Sequence, residues 1–260
     1  DHNLQTLRIV MFLENKYLKF KGLNLTIETL DGLLKHNGPV NNTFKINKIV
    51  GLKNLSKKIN FIKSPSLEAQ ISSISDDIAY NNHDIQDGIK ANLFALKDLI
   101  EINFFKEIYL SHKKYLNKNI NNILIYQIIR DSIDLMVKDL IKNTIYNIKK
   151  NKVNNIMKVY NSTKPIVCFS NNFKNIEKDI RLFLKEKMYK NRKVLIKNNN
   201  GKKIVKKLYS LISKNPYKFL NKKQLKENKA RAVADFISGM TDRYAIKLYN
   251  NSKWIYLIFT

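Results

Sequence analysis

The sequence contains very little cysteine, glycine and proline. Cys168 is the only cysteine in 260 residues, which excludes an internal disulfide and a zinc site built on cysteines. Its neighbours are apolar, so we expect an inert buried thiol rather than a nucleophile. Such cysteine usage suits a reducing, cytoplasmic setting. Only seven glycines and four prolines are present, which leaves long stretches without a helix breaker.

Long apolar runs are also missing. No uninterrupted apolar stretch approaches the roughly 18 residues that a membrane span requires. The first ten residues lack the basic start and the apolar run of a signal peptide. We therefore expect no membrane span. The sequence opens with Asp1 and not with methionine, which indicates that it starts downstream of the translation start.

Arginine is scarce in a strongly basic chain. The net charge is +27, yet only six of the 48 basic residues are arginines and the other 42 are lysines. Asparagine and isoleucine are also abundant, as in genes that drift toward AT-rich codons. Bidentate recognition of phosphate and guanine prefers arginine. Two interpretations stay open: compositional bias, and attraction to polyanions, which would also favour a nucleotide substrate.

Apolar residues recur at intervals of three and four, which predicts an all-α protein. The predicted helices lie within residues 4–18, 20–39, 66–94, 99–113, 122–151, 173–189, 201–214 and 223–249. Thr26 and Ser66 are expected to begin two of them as N-caps. Residues 40–66 are polar and suggest a surface excursion. The pattern breaks around Pro165, in a short β-like apolar run, and we place a domain boundary between residues 160 and 161.

The predicted helix that begins at Ser66 carries two stripes on roughly opposite sides. At about 100° per residue, one stripe is apolar and the other is polar. The apolar stripe comprises Ile71, Ile74, Ile78, Ile85 and Ile89, and the polar stripe comprises Asp76, Tyr80, His83, Asp84 and Asp87. The polar stripe is either the solvated face of an amphipathic helix or the wall of a site that collects carboxylates, a phenol and an imidazole.

Four blocks of the sequence resemble, in the same order, blocks of the dGTPase-like triphosphohydrolases of the HD superfamily. These blocks are DHNLQTLRIV, GLNLTIETLDGLLKHNGP, SLEAQISSISDDIAYNNHDIQDGIKANLF and RAVADFISGMTDRYA, and they span essentially the whole chain. The resemblance implies an all-α HD-superfamily helical bundle over residues 1–160. It also implies a smaller, mostly helical phosphohydrolase-associated domain over residues 161–260.

The resemblance further implies a metal-dependent hydrolase. In the family, a divalent ion such as Mg²⁺ or Mn²⁺ is held by a His, a His–Asp pair and a more distant Asp. Activated water attacks the α-phosphorus, which releases deoxynucleoside and tripolyphosphate. Asp76 matches the distant metal-binding Asp, and we expect the bundle to point it inward. The other ligands belong upstream of Asp1 and are absent, so the isolated chain is predicted to be inactive.

The remaining site residues follow from the same blocks. His2 matches a catalytic histidine near the phosphates, while Asp84 is expected to bind the sugar 3′-hydroxyl. The substrate-binding set implied by the resemblance is Tyr80, Asp84, Lys35, Arg231 and Arg243. His36 has two open interpretations, a residue near the phosphates or one that helps to end its helix.

Three classes of function are therefore weighed. The first is a dNTP triphosphohydrolase, for which the family implies a homo-oligomer. The second is a non-catalytic nucleotide sensor on the same fold, because the chain keeps substrate-side residues while lacking most metal ligands. The third is a basic protein that binds nucleic acid with a steep salt dependence. In-frame codons for a His and a His–Asp pair upstream of Asp1 would favour the enzyme over the sensor.

Overall fold

The computed structural model describes residues 2–40, 59–112, 114, 121–226 and 228–258. Every regular element within these residues is helical, which confirms the all-α prediction. None of the described helices combines the length and the apolar character needed to cross a bilayer. Most of the surface excursion predicted for residues 40–66 lies outside the described residues, which resume at Ile59.

The chain divides into two compact units, residues 1–185 and residues 186–260. The helices of the first unit are α1 (His2–Arg8), α2 (Ile27–Leu34), α3 (Leu67–Lys90), α4 (Leu96–Leu99), α5 (Asn103–Ser111), α6 (Asn121–Lys150), α7 (Ile156–Tyr160) and α8 (Asn171–Leu184). Two π-helical turns follow α1 and α8, over Ile9–Leu13 and Lys185–Tyr189. The helices of the second unit are α9 (Arg192–Lys214), α10 (Lys222–Leu225), α11 (Lys229–Ser238) and α12 (Asp242–Ile258).

The predicted N-caps begin their helices in the structure. The Thr26 hydroxyl accepts a hydrogen bond from the backbone N–H of Thr29 at 3.3 Å, at the start of α2. The Ser66 hydroxyl accepts one from the N–H of Ala69 at 3.3 Å, at the start of α3. Each cap satisfies a donor that has no partner within the helix. Both predictions are confirmed.

The helix predicted over residues 4–18 is wrong in its second half. Its π-helical turn ends at Leu13, and Glu14 is extended. The chain then folds back, so that the N–H of Leu23 donates to the carbonyl oxygen of Val10 at 2.7 Å. Gly22 makes this return with a φ of +68°, where any Cβ would collide with the carbonyls of Val10 and Met11. The fold-back requires a glycine there.

Helices α3 and α6 form the centre of the first unit. Ile78 and Ile85 of α3 are 3% and 0% exposed, and Met136 of α6 is fully buried. Asn82 Nδ2 donates to the Ile78 carbonyl at 2.8 Å and lies 3.5 Å from the sulfur of Met136. The middle of the apolar stripe therefore packs as predicted, whereas Ile74 and Ile89 are half-buried and Ile71 is 46% exposed.

The irregular segment from Pro165 to Ser170 is held by amide side chains instead of by a strand. Gln70 Oε1 accepts from the N–H groups of Ile166 and Val167, at 2.9 and 3.0 Å. From α6, Asn147 Nδ2 donates to the Ile166 carbonyl at 2.9 Å, and Asn143 does the same for Cys168 at 2.7 Å. These bonds tie the segment between α3 and α6. Hydrogen bonds from these side-chain amides take the place of the strand-to-strand bonds that the β-like pattern suggested.

The second unit has its own apolar core. Helix α9 packs against α11 and α12. The buried residues of this core are Leu208, Ile212, Leu220, Leu225 and Val233. The domain boundary predicted after residue 160 stays a prediction, because a domain of a family and a compact unit of one structure are different divisions.

Replacing Gln70 with leucine tests the amide clamp. The side chain is 6% exposed, and its Nε2 also donates to the Pro65 carbonyl at 2.9 Å. The change leaves two buried N–H groups and one carbonyl without partners, at about 1–3 kcal/mol each. We expect the free energy of unfolding, measured in urea, to fall by at least about 3 kcal/mol. Gln70→Glu keeps the acceptor and should lose less; equal losses would contradict the clamp.

Gly88 and Gly201 offer a matched pair of helix glycines. A Cβ at Gly88 of α3 would overlap the ring of Phe94, which is 7% exposed and packs edge-on against Phe183. Nothing lies within 4 Å of a Cβ at Gly201 of α9. We expect Gly88→Ala to destabilise by about 1–3 kcal/mol through overpacking, and Gly201→Ala to stabilise by about 0.5–1 kcal/mol. Thermal unfolding followed by circular dichroism should show opposite signs.

Candidate active site

The first turn of α1, the end of α2 and the middle of α3 meet at one corner of the first unit. Asn3 Nδ2 donates to the Leu34 carbonyl at 3.5 Å, which places the start of α1 beside the end of α2. A Cβ on Gly32 of α2 would lie 3.3 Å from that of Ala69, so α2 also approaches α3 closely. The small side chains allow this approach. The predicted residues His2, Lys35 and Asp76 belong to these three elements.

The end of α2 contains a buried ion pair. Lys35 Nζ lies 2.7 Å from Asp31 Oδ1, and the two residues are 2% and 7% exposed. Burial raises the pKa of the Asp31 carboxyl, and the Lys35 ammonium opposes that shift. The ammonium also lies 6.0 Å from the centroid of the Tyr160 ring. The pKa of the Tyr160 phenol is raised, mainly by burial and to a smaller extent by the charge of Asp31.

His36 lies against the predicted metal ligand. Its Nε2 is 3.6 Å from Asp76 Oδ2, and the two side chains are 30% and 50% exposed. This distance is too long for a hydrogen bond but is within ion-pair range when the imidazole is protonated. Sequence reasoning left the role of His36 open. Its only signal was its position at the end of α2, since its contact lies 40 residues further along the chain.

The expectation that Asp76 points inward is wrong for the described residues. Half of its side chain is exposed, Tyr80 is 64% exposed, and Asp84 is only half-buried. The physical reason is that the polar stripe lies on the side of α3 opposite Ile78 and Ile85, which face the core. The stripe therefore faces solvent in part and adjoins the imidazole of His36, while its role as the wall of a site stays a prediction.

The carboxylate next to Asp76 has a different role. Asp77 Oδ2 lies 3.0 Å from the guanidinium of Arg181, which also lies 2.7 Å from Glu177. Burial alone would lower the pKa of Arg181, but the hydrogen bond and charge of Glu177, together with Asp77, outweigh it and raise that pKa. This contact joins α3 to α8. The two adjacent aspartates thus have different partners, because Asp77 forms an ion pair with Arg181 and Asp76 lies beside His36.

The roles of the other predicted residues stay predictions. His2 is exposed at the start of α1, and its carbonyl accepts from the Thr6 hydroxyl at 3.0 Å. In the second unit, Arg231 is half-buried in the first turn of α11, where its N–H donates to Asn228 Oδ1 at 2.9 Å. Arg243 is exposed in the first turn of α12.

The described residues contain no complete metal-binding cluster. Among them, no group of three or more His, Cys, Asp or Glu side chains is arranged to hold an ion. Asp76 supplies a carboxylate, which Mg²⁺ and Mn²⁺ sites use, and His36 supplies an imidazole, which is a ligand for transition metals. The pair therefore fits part of a metal site.

Comparison with known proteins connects the chain to one family. Residues 167–251 match the phosphohydrolase-associated domain. The chain is 68% identical over 248 residues to a deoxyguanosinetriphosphate triphosphohydrolase-like protein of Pelagibacter ubique, which covers 95% of this chain and 67% of that protein.

More distant relatives carry the same description. Deoxyguanosinetriphosphate triphosphohydrolase-like proteins of Bartonella quintana and Rickettsia felis are 38% and 34% identical, over 96% of this chain and 65% and 66% of their own lengths. The chain thus spans about two thirds of the length of the curated relatives that it matches. It belongs to the family of deoxyguanosinetriphosphate triphosphohydrolase-like proteins, within the HD superfamily of phosphohydrolases.

Proposed function

We propose that this chain provides the substrate side, and one metal ligand, of a metal-dependent dNTP triphosphohydrolase of the dGTP type. The products would be deoxynucleoside and tripolyphosphate. One observation carries the proposal: the carboxylate that matches the family's distant metal ligand, Asp76, stands accessible beside an imidazole, His36. The activity is proposed for a protein of the relatives' full length, acting in the cytoplasm as a homo-oligomer.

The metal would be held in part by Asp76, with His36 at its side. When bound, a divalent ion supplies Lewis acidity and lowers the pKa of its water. Two side chains hold such an ion weakly. The resemblance assigns the further ligands, a His and a His–Asp pair, to a position upstream of Asp1. The described residues are therefore expected to bind Mn²⁺ only weakly on their own.

The polar stripe of α3 would receive the nucleoside. Tyr80 lies one turn beyond Asp76, and its exposed ring is free to contact a sugar or a base. Asp84 lies one further turn along, where its carboxylate can accept a hydrogen bond from the sugar 3′-hydroxyl. Arg231 and Arg243 are also proposed to contact the nucleotide. A guanidinium suits phosphate oxygens.

His2 and Lys35 would act at the triphosphate end. The exposed imidazole of His2 is proposed to donate a hydrogen bond or a proton to a phosphate oxygen. Lys35 is enclosed with its counterion Asp31, so its ammonium reaches a phosphate only if that pair opens. We propose that the pair chiefly positions the end of α2, and with it His36.

A nucleotide sensor is the second candidate. It is favoured by one observation, that the ring of Tyr80, which is proposed to contact nucleotide, is exposed while no metal cluster of three donors exists among the described residues. A sensor would bind dGTP and release no tripolyphosphate. The two candidates therefore differ in turnover and not in binding.

Asp76→Asn and Asp77→Asn form a matched pair for the hydrolase. Both changes replace an exposed or half-exposed carboxylate of α3 with its amide. We expect Asp76→Asn to reduce deoxyguanosine release at least about 100-fold, because the amide is a poor ligand for a cation that contributes several kcal/mol. Asp77→Asn should change the rate less than about threefold, since its partner is Arg181.

The assay uses two proteins, each with dGTP and Mn²⁺. One is the 260-residue chain, and the other joins it to the segment of the Pelagibacter relative that the match leaves uncovered. Deoxyguanosine and tripolyphosphate are quantified by ion-exchange chromatography, and Mn²⁺ binding by electron paramagnetic resonance. Equal rates for the two aspartate variants in the joined protein would overturn the metal role of Asp76. Saturable dGTP binding by both proteins without tripolyphosphate would establish the sensor instead.

The buried pair is tested by single and double variants. Lys35→Met leaves Asp31 buried without its counterion and should cost about 3–5 kcal/mol of unfolding free energy, whereas Asp31→Leu/Lys35→Met should cost much less. Because the pKa of Asp31 is raised in the folded state, the difference between parent and double variant should shift in favour of the parent as pH falls toward 3.8. Urea unfolding measures both. A small loss in Lys35→Met would contradict the structural role.

A further inference from the structure

Helix α6 exposes a row of side chains on the side that faces away from its core. Its buried side packs against α3 and α5 and consists of Leu124, Ile128, Ser132, Met136 and Leu140. At about 100° per residue, a second row lies roughly opposite. This outer row comprises Ile123, Tyr126, Arg130, Asp134, Val137 and Ile141. All six are exposed, and the four apolar members are 62%, 41%, 38% and 55% exposed in that order.

The outer row runs straight along the helix. Its members follow one another at steps of three, four, four, three and four residues. These steps average about 3.6 residues, which is one helical turn, so the row does not wind around the axis. From Ile123 to Ile141 it extends about 27 Å. A contiguous apolar surface of this kind on a helix indicates a docking surface.

The order of the residues in the outer row is self-complementary. If a second copy of α6 lies antiparallel to the first, Ile123 of one faces Ile141 of the other, and Tyr126 faces Val137. Arg130 then faces Asp134 of the second copy. All three pairs are centred close to residue 132, so one two-fold axis generates them together and each occurs twice. Apolar pairs would thus flank two ion pairs.

The charges of the outer row are held only loosely within their own helix. Arg130 donates to Gln127 Oε1 at 2.6 Å, and Asp134 Oδ2 lies 2.7 Å from Lys138 Nζ. Arg130, Asp134 and Lys138 are all exposed. An exposed ion pair contributes little to stability. The exchange of these contacts for a pair between two copies is therefore inexpensive.

We infer that the outer row of α6 is an isologous interface, on which a second copy of this chain docks its own α6 antiparallel. The inference supplies a surface for the homo-oligomer of the proposed function and rests on that part of the proposal alone. A strip about 27 Å long and one helix wide lies at the low end of specific interfaces. We expect a weak dimer, with a dissociation constant on the order of 10 µM.

Other occupants suit the outer row less well. The ligands that the resemblance assigns upstream of Asp1 would gather at Asp76, on the side of α3 opposite the residues that face α6. The outer row points away from α3, so a segment that completes the metal site has its place elsewhere. A partner chosen by the strong positive charge would be acidic throughout. The outer row instead pairs one base with one acid, which only its own copy matches in this order.

The first test is sedimentation of the 260-residue chain from about 1 to about 100 µM, on either side of the expected dissociation constant. Ile141→Gln should raise that constant at least about tenfold, because the lost apolar contact occurs twice in a dimer. Tyr146→Gln is the matched control. Tyr146 is 56% exposed, as Ile141 is, but lies on another side of α6. It should change the constant less than about twofold.

Charge reversal tests the ion pairs. Arg130→Glu would bring two carboxylates together across the axis, and Asp134→Arg would bring two guanidinium groups together. Each change should raise the dissociation constant at least about tenfold, because like charges then meet twice. The double variant Arg130→Glu/Asp134→Arg restores opposite charges. It should return the constant to within about threefold of the parent.

Net charge separates this pairing from general repulsion between basic chains. Arg130→Glu lowers the net charge of +27 by two, and Asp134→Arg raises it by two. General repulsion would therefore make the first variant associate more strongly and the second more weakly. A paired contact weakens both and recovers in the double variant. Circular dichroism establishes that each variant is folded.

A nitroxide label reports the direction of the two helices. In Lys142→Cys/Cys168→Ser, the labelled position is exposed and lies ten residues from the proposed axis on each copy. An antiparallel pair separates two such labels by at least about 30 Å, whereas a parallel pair brings them within about 20 Å. Double electron–electron resonance measures the distance.

Four results would overturn the inference. They are a parent chain that stays monomeric at about 100 µM, equal effects of Ile141→Gln and Tyr146→Gln, charge reversals that the double variant does not rescue, and labels within about 20 Å of each other. A dimer that is indifferent to every change in the outer row refutes this surface but not the homo-oligomer. These measurements contain no dGTP and no metal, so the hydrolase assay succeeds or fails independently of them.

Discussion

Helix α3 packs against the core on one side and faces solvent on the other, and the arrangement of the first unit depends on this division. Its side with Ile78 and Ile85 is sealed against α6, which fixes the rotation of the helix about its axis. That rotation determines where Asp76, Tyr80 and Asp84 point. Because the apolar contacts are extensive and close-packed, the polar stripe cannot turn without opening the core. The direction of the proposed site is thus set by residues that take no part in its chemistry.

The corner beside α3 combines buried and accessible charge. Asp31 and Lys35 are enclosed as a pair, while the next residue, His36, reaches the surface and meets Asp76. An ion pair in the interior is costly to open, because each partner would be left without its counterion. The end of α2 is therefore firmly placed. This firmness gives the half-buried imidazole of His36 a defined position, which a histidine on a free loop would lack.

Local features of the fold could be predicted from the sequence. The N-caps Thr26 and Ser66, the length of α6 and the apolar stripe of α3 depend on neighbours within a few turns, and periodicity reports those neighbours. The early end of the first helix could not be predicted. The chain folds back at Gly22, and the N–H of Leu23 then donates a hydrogen bond to the carbonyl oxygen of Val10. Such a bond has no periodic signature.

The candidate site was predictable only in part, for the same reason. Helical spacing aligned Asp76, Tyr80 and Asp84, but it gives relative angles and does not tell which neighbour covers them. The burial of Lys35 and the approach of His36 to Asp76 arise from packing between separate helices. A lysine is rarely enclosed, so the composition favoured an accessible side chain. The pair with Asp31 follows helical spacing, because the two residues are four apart, but only the tertiary contacts reveal that the pair is buried.

The amide clamp has a consequence for how the chain folds. Gln70 Oε1 accepts hydrogen bonds from N–H groups that lie 96 and 97 residues further along the chain. Contacts of such long sequence separation form late, since a long loop must close before they contribute. During synthesis, the Gln70 amide at the start of α3 therefore bonds to water in place of its native partners until residue 167 has left the ribosome. The first unit can complete its interior only as the opening residues of the phosphohydrolase-associated match emerge, which couples maturation of the early helices to arrival of the later region.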